Sequence, residues 1–293
     1  MANRRELVKR RKAVRNIHKI TRTMQMIANA RFQAAYKRAV ASKPYTEKLA
    51  KLVEDLAKAA KGLDHPLMRE PEEGGASLFM VITSSRGLCG GYNGNVLRAA
   101  GEHFRGLEER GEQAELHMVG KKGVNYLKFV GWPMEREITD IGETPRFEQV
   151  EPLANEMMDR FIKGEIRSVD VAYMKFVSTG KQIPVVERLL PLSGLEPDEA
   201  EEAPVEAEVQ YEFSPNPVEL LNELLPASVR IALFQSFSDA VVSEQVARMV
   251  AMTAATEAAE DIIKRLTQQY NRARQTAITM ELLDIVGGAN ALS

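Results

Sequence analysis

The sequence predicts an α/β protein in which long N- and C-terminal helices pair as an antiparallel coiled coil and a central α/β domain carries a mixed or mostly parallel sheet. Three observations lead there. Helical periodicity runs from Asn3 to about Lys61 and returns from Pro217 almost to the C-terminus. Between those stretches, strand-like and helix-like runs alternate. The expected division is a helix over 1–62, an α/β domain over 75–193, an acidic loop over 194–216 and a second helix over 217–293.

In the first helix, Leu7, Val14, Ile17, Ile20, Met24 and Ile27 recur at steps of three, four or seven, and Ala34, Ala41, Leu49, Leu52, Val53 and Leu56 continue the stripe. Pro44 removes one backbone hydrogen bond and is expected to kink the helix without ending it. Gly62, Asp64, Pro66, Pro71, Gly74 and Gly75 mark the exit.

The middle opens with a buried-strand run, Leu78–Thr83, closed by the glycine-rich turn Arg86–Gly94. A helix is expected over Asn95–Arg110, a strand over Glu115–Val119 and a short helix near Val124–Phe129. After the turn at Gly131–Pro133 come a helix over Phe147–Ile162 and two strands, Val169–Val177 and Pro184–Leu190. Strand and helix in alternation build a parallel or mixed sheet with helices on its faces.

In the last segment Pro226 is expected to interrupt the helix once, and Gly287–Gly288 to end it. Val229, Leu233, Phe237, Val241, Met249, Val250, Ile262, Ile263, Leu266 and Tyr270 form its expected apolar face. At 1.5 Å per residue each terminal helix reaches roughly 85 Å, too long to bury its stripe on a domain of about 120 residues. The helices must bury their stripes on each other, although polar Thr21, Gln25, Thr253 and Gln275 fall near that seam.

Composition narrows the function. The 293 residues are 44% hydrophobic and 27% charged, with a formal net charge of -2, which implies no bulk attraction to nucleic acid or membrane. The balance hides an asymmetry. From Arg4 to Lys43 basic residues dominate and Glu6 is the single acid, whereas every charged residue from Glu196 to Glu208 is an acid. The lone cysteine, Cys89, excludes an internal disulfide and a Cys-rich zinc site. No run approaches ~18 uncharged apolar residues, and the N-terminus lacks the apolar core of a signal peptide, so the expectation is a mature cytoplasmic chain.

Candidate chemistry is sparse. The segment from Ser85 to Gly94, with Cys89 inside it, could cradle a phosphate or present a thiolate, but its glycine spacing matches neither the Walker nor the dinucleotide pattern. It is more simply a strand-to-helix turn. His18, His65, His103 and His117 fall in no triad context, and Met24, Met26, Met249 and Met252 are core-type methionines. The basic first helix suits a polyanionic partner, either phosphate or an acidic protein loop, but lacks the aromatic interleaving of a nucleic-acid binder.

Three stretches carry a resemblance. They are Ile20–Ala28 following Arg15–Lys19, Arg86-Gly-Leu-Cys-Gly-Gly-Tyr-Asn, and Ser243–Thr256 continued through Tyr270–Leu282. In these the chain resembles the gamma subunit family of bacterial F-type ATP synthases, effectively from end to end. The resemblance implies a non-catalytic central-stalk rotor with a Rossmann-like central domain and no cofactor. One copy would couple proton-driven rotation of the c-ring to conformational change at the beta subunits, within a ring of alternating alpha and beta subunits and beside an epsilon subunit. The chain would be peripheral, at the cytoplasmic face of the bacterial inner membrane.

By motif, Arg86 and Cys89 are expected at a beta subunit's acidic lever, and Met24 and Arg248 in the coupling region of the helix pair. Arg274, Gln275 and Thr279 are expected at a beta catch loop, and Ile285, Val286 and Leu292 inside an apolar sleeve. Ser85 stands where the family usually has Asp, so that position lacks the carboxylate. Two other readings stay open on the residues alone. One is a coiled-coil protein that binds nucleic acid through the basic helix, and the other is a nucleotide-binding enzyme using Arg86–Gly94.

Overall fold

The computed structural model describes residues 4–59, 65–69, 75–192 and 217–292, without the side chains of 42–47, 50, 54–59, 217–218 and 288–292. The acidic loop, the exit residues Gly62, Asp64, Pro71 and Gly74, and the side chains of Pro44, Leu56 and Leu292 lie outside the described residues. The element order is α1 (Arg4–Ala59), β1 (Ala76–Ile82), α2 (Tyr92–Glu109), β2 (Ala114–Val119), α3 (Lys121–Val130), β3 (Arg136–Ile138), α4 (Phe147–Ile162), β4 (Ile166–Ser178), β5 (Lys181–Leu190) and α5 (Pro217–Leu292). Two compact units divide the chain, one of Met1–Ala30 with Arg248–Ser293 and the other of Arg31–Ala247.

The larger unit holds a five-stranded sheet in the order β3-β2-β1-β4-β5. β1 pairs in parallel with β2 and β4, β2 pairs in parallel with β3, and β5 returns antiparallel along β4. Alternation along the strands sends side chains to two cores. On one face Leu78, Met80 and Ile82 of β1 and Val169, Val171 and Tyr173 of β4 pack against α4 and the α5 residues Leu221, Leu225, Val229 and Leu233. On the other, Phe79, Val81, Ala172 and Met174 pack against Tyr92, Val96 and Ala100 of α2 and Val124 and Leu127 of α3. Both sheet faces are covered, which is why β1 reads as one continuous apolar run.

In the smaller unit the first part of α1 and the last part of α5 run antiparallel. The Thr256 and Thr21 hydroxyls are hydrogen-bonded (2.8 Å), His18 meets Glu260 (2.9 Å), and the Arg11 guanidinium sits over the Tyr270 ring (4.9 Å). As the number rises on one helix it falls on the other.

Several expectations change. Pro226 does not interrupt α5, and Gly287–Gly288 do not end it, because the helix runs from Pro217 to Leu292. β3 is a strand of three residues that periodicity does not reveal. The seam of the smaller unit matches the predicted apolar stripe only in part, through Leu7, Val14 and Met24. On α1 a line of shielded positions runs through Leu7, Arg11, Val14, His18, Thr21, Gln25 and Ala28 at steps of four and three, with half-buried Met24 beside it, while Ile17, Ile20 and Ile27 are exposed. The alternation of four and three is that of a heptad seam. Small and polar residues share it with Leu7 and Val14, and the three isoleucines face outward.

Candidate partner interface

Several large apolar side chains of the smaller unit face solvent. Ile17, Ile20 and Ile27 of α1 share a helical face at steps of three and seven and are open to solvent, as are Met26, Val250 and Ile262. Polar Thr21 and Thr256 are buried instead; the Thr256 hydroxyl lies within hydrogen-bond distance of both the Thr21 hydroxyl (2.8 Å) and the Met252 carbonyl (2.7 Å). The basic residues Arg5, Lys9, Arg15, Lys19 and Arg22 are exposed alongside the isoleucines.

The end of α5 has no partner helix among the described residues. The antiparallel register puts Arg4, the first described residue of α1, opposite roughly residue 277, so the helix continues to Leu292 for about four more turns. There Ile278, Met280, Leu282, Leu283, Ile285 and Val286 are all exposed. A lone apolar helix end of this kind is an interface before it is anything else.

In the larger unit the turn between β1 and α2 is held from within. Thr83 donates to the Val119 carbonyl (2.7 Å) and accepts from the Gly123 N–H (3.0 Å). The Ser84 N–H donates to Asn93 (2.9 Å), and the Ser84 hydroxyl donates to the Arg86 carbonyl (2.7 Å). Cys89 is buried in this web, with the Asn93 amide 3.3 Å from its sulfur. The outward elements of the turn are Arg86 and Leu88. Leu88 has φ of 64°, a left-handed backbone rare for a branched residue, and its side chain is 60% exposed. Arg86 forms an ion pair with Glu143 (3.1 Å), and Arg31 of α1 pairs with the same carboxylate.

The residues singled out by motif therefore fall in two places. Met24, half-buried, and Arg248, buried, belong to the smaller unit with Arg274, Gln275, Thr279, Ile285 and Val286, which are exposed on the later turns of α5. Arg86 and Cys89 belong to the larger unit, with only Arg86 turned outward. Sequence reasoning missed Leu88, whose signal is its place between Gly87 and the Cys89-Gly-Gly run, and it missed Glu143 and Arg31. That pair is 112 residues apart and leaves no local trace.

The other charged clusters are latches within the fold. Asp170, buried in mid-strand, is pushed up by burial, but His103, 3.4 Å away, and the hydrogen bonds from Arg188 outweigh this and hold its carboxyl below the usual range. Arg160 grips Glu115 with two hydrogen bonds (2.8 and 2.6 Å), bringing Glu115 down to about 2 with a smaller contribution from His117. Among the described residues no group of three His, Cys, Asp or Glu could hold a metal ion, and no helix is long and apolar enough to cross a membrane.

Comparison with known proteins agrees with this geometry. The family described as ATP synthase matches residues 3–292. The ATP synthase gamma chain of Rhodopirellula baltica is 46% identical over 294 residues, covering 100% of this chain and 99% of its own. That of Frankia casuarinae is 40% identical, covering 99% of this chain and 97% of its own. In fold, the chain is similar to one in the Euglena gracilis mitochondrial ATP synthase OSCP/F1/c-ring structure, with a TM-score of 0.65 and 19% identity, covering 99% of this chain and 94% of that one. It is also similar to one in the rotor of that synthase, with a TM-score of 0.63 and 20% identity over 94% of this chain and 98% of that one. With two long helices flanking a mixed sheet and relatives of this name along its whole length, the chain belongs to the ATP synthase gamma chain family.

Proposed function

We propose that this chain is the central-stalk rotor subunit of an F-type ATP synthase and couples rotation of a c-ring to conformational change at catalytic beta subunits. The observation that carries the reading is the outward apolar surface of the two-helix unit, with Ile17, Ile20 and Ile27 on α1 and Ile278 to Val286 on α5. Water-exposed isoleucines, left outside a helix seam that buries Thr21 and Ala28 instead, make sense when a partner covers them. The division of labour follows the chain, with the helices of 1–62 and 217–293 serving as the shaft and the 75–193 domain as the foot.

In this role the chain performs no covalent chemistry and needs no cofactor. A rotor acts because its surface is unequal around its axis, so each beta subunit meets different contacts as it turns. Arg86, with Leu88 beside it and Cys89 shaping the turn, meets an acidic segment of a beta subunit. Met24 and Arg248 lie where rotation is transmitted, Arg274, Gln275 and Thr279 meet beta subunits higher up, and Ile285, Val286 and Leu292 turn in an apolar sleeve. The basic face of α1 supplies the complementary charge, which sets orientation more than affinity. Epsilon and the c-ring bind the foot, one copy serves each complex, and the assembly sits at the cytoplasmic face of a bacterial membrane.

A tagged pull-down from native membranes in mild detergent tests the reading. It should recover two larger subunits in threefold excess and an ATPase activity that the isolated chain lacks. Recovery of the chain alone, or with nucleic acid, would contradict it.

A further inference from the structure

The larger unit contains an open cleft of about 570 Å³ whose lining includes Arg31, Arg38, Arg86 and Lys121 against a single carboxylate, Glu143. Arg31 and Arg86 already share that carboxylate. Arg38 and Lys121 have no acidic partner among the described residues. The Lys122 ammonium lies beside the same turn, 3.5 Å from where a Cβ on Gly87 would stand.

A second observation is independent of charge. Gln245 of α5 lines the cleft, is 1% exposed, and neither its amide nitrogen nor its amide oxygen has a hydrogen-bond partner. A buried amide left wholly unpaired costs more than an ordinary hydrogen bond contributes, so its presence requires a partner. Ser85, Thr139 and Thr144 line the same space, and Lys121 brings the N-terminal turn of α3 to it.

We propose that this cleft binds a multiply charged phosphate-type oxyanion, either inorganic phosphate or the linked phosphates of pyrophosphate or a nucleoside diphosphate. The donors come from α1, the 83–91 turn, the start of α3, the 139–144 segment and α5, so they surround the ligand. A tetrahedral oxyanion offers acceptors in all those directions, whereas a carboxylate offers two in one plane. Glu143 is such a carboxylate, and it leaves Arg38, Lys121 and Gln245 unsatisfied. It is therefore a resident competitor that an incoming phosphate displaces from Arg31 and Arg86. The site is part of this chain alone and does not depend on the rotor reading.

The test is calorimetric titration of the full-length chain with phosphate, pyrophosphate and ADP at constant ionic strength. Saturable one-to-one binding of at least one of them is expected. Phosphate binding assigns the inorganic ion, and binding of only the two diphosphates assigns linked phosphates. Lys121→Ala and Gln245→Leu should each weaken binding about tenfold, and Glu143→Gln should tighten it. Gln245→Leu should melt no earlier than the parent without ligand, because it removes the unpaired amide. If that variant fails to fold, Lys121→Ala, at an exposed position, carries the test. The proposal is overturned by no saturable binding of any of the three, by equal binding in all variants, or by binding of a polyglutamate peptide alone.

Discussion

Replacing Ile17, Ile20 and Ile27 together with Gln separates surface that holds the chain together from surface that meets a partner. These side chains are 52%, 58% and 47% exposed. Fully burying an isoleucine contributes about 1.5–3 kcal/mol, so covering the exposed half of each is worth roughly 1 kcal/mol. Three of them then contribute about 2–4 kcal/mol to assembly, which is on the order of 30- to 1000-fold in affinity. The isolated chain should lose little, about 2 kcal/mol at most, because Gln keeps the inner methylenes and the seam is untouched. The same change at Ala28, which is 1% exposed in the seam, forces the helices apart and should cost the chain more than the triple variant does. Thermal melting of the isolated chain reads the first quantity, and binding of tagged variants to alpha–beta complexes in solution reads the second. If the triple variant melts earlier than Ala28→Gln and still assembles normally, the isoleucines belong to the fold and the argument is wrong.

Met24→Lys should place a charge at the transmission surface and leave ATP hydrolysis running while proton pumping falls, as measured in reconstituted vesicles; full coupling would remove Met24 from that surface. Stability should fall with acid. The folded carboxyls of Glu115 and Asp170 titrate below their ordinary values, so their stabilisation is complete above about pH 4.5 and is lost as pH falls, for Glu115 through about 2. After allowance for solvent screening Glu115 contributes about 2 kcal/mol, and Arg160→Met should flatten this part of the urea-unfolding profile between pH 5 and 2. Gly120→Ala should be among the most damaging single changes. Gly120 has φ of 90°, and a Cβ there would stand 2.2 Å from the Thr83 carbonyl oxygen, so a loss of at least ~3 kcal/mol in urea unfolding is expected.

Much of the fold was legible because burial leaves a local signature. Leu78–Thr83 reads as a strand since both of its faces are covered, and Phe147–Ile162 reads as a helix since only one is. β3 escaped because three residues, Arg136–Ile138, carry no period. Pro226 was misread since a proline stops a helix only where its missing N–H and its ring are not accommodated, and tertiary packing of Leu225 and Val229 on the sheet keeps the helix intact.

The candidate interface was legible in a different way. Apolar residues at helical spacing mark a face that will be buried, but they do not say by what. On α1 the pattern of Ile17, Ile20 and Ile27 was assigned to the partner helix, which instead meets Thr21 and Ala28, small enough to allow close approach. Two faces compete for the same helix, and hydrophobicity alone favoured the larger side chains. Long-range polar pairs such as Arg31 with Glu143, and an orphaned amide such as Gln245, have no sequence signature at all.

The rotor reading is tested most directly by watching the chain turn. Phe129 on α3 is 88% exposed, so Phe129→Cys offers a handle for a bead on the larger unit. The complex with alpha and beta subunits would be fixed to glass and given ATP. Unidirectional, ATP-dependent turning of the bead, in discrete steps, is the predicted result. A bead that stays still while the same complexes hydrolyse ATP would contradict the account.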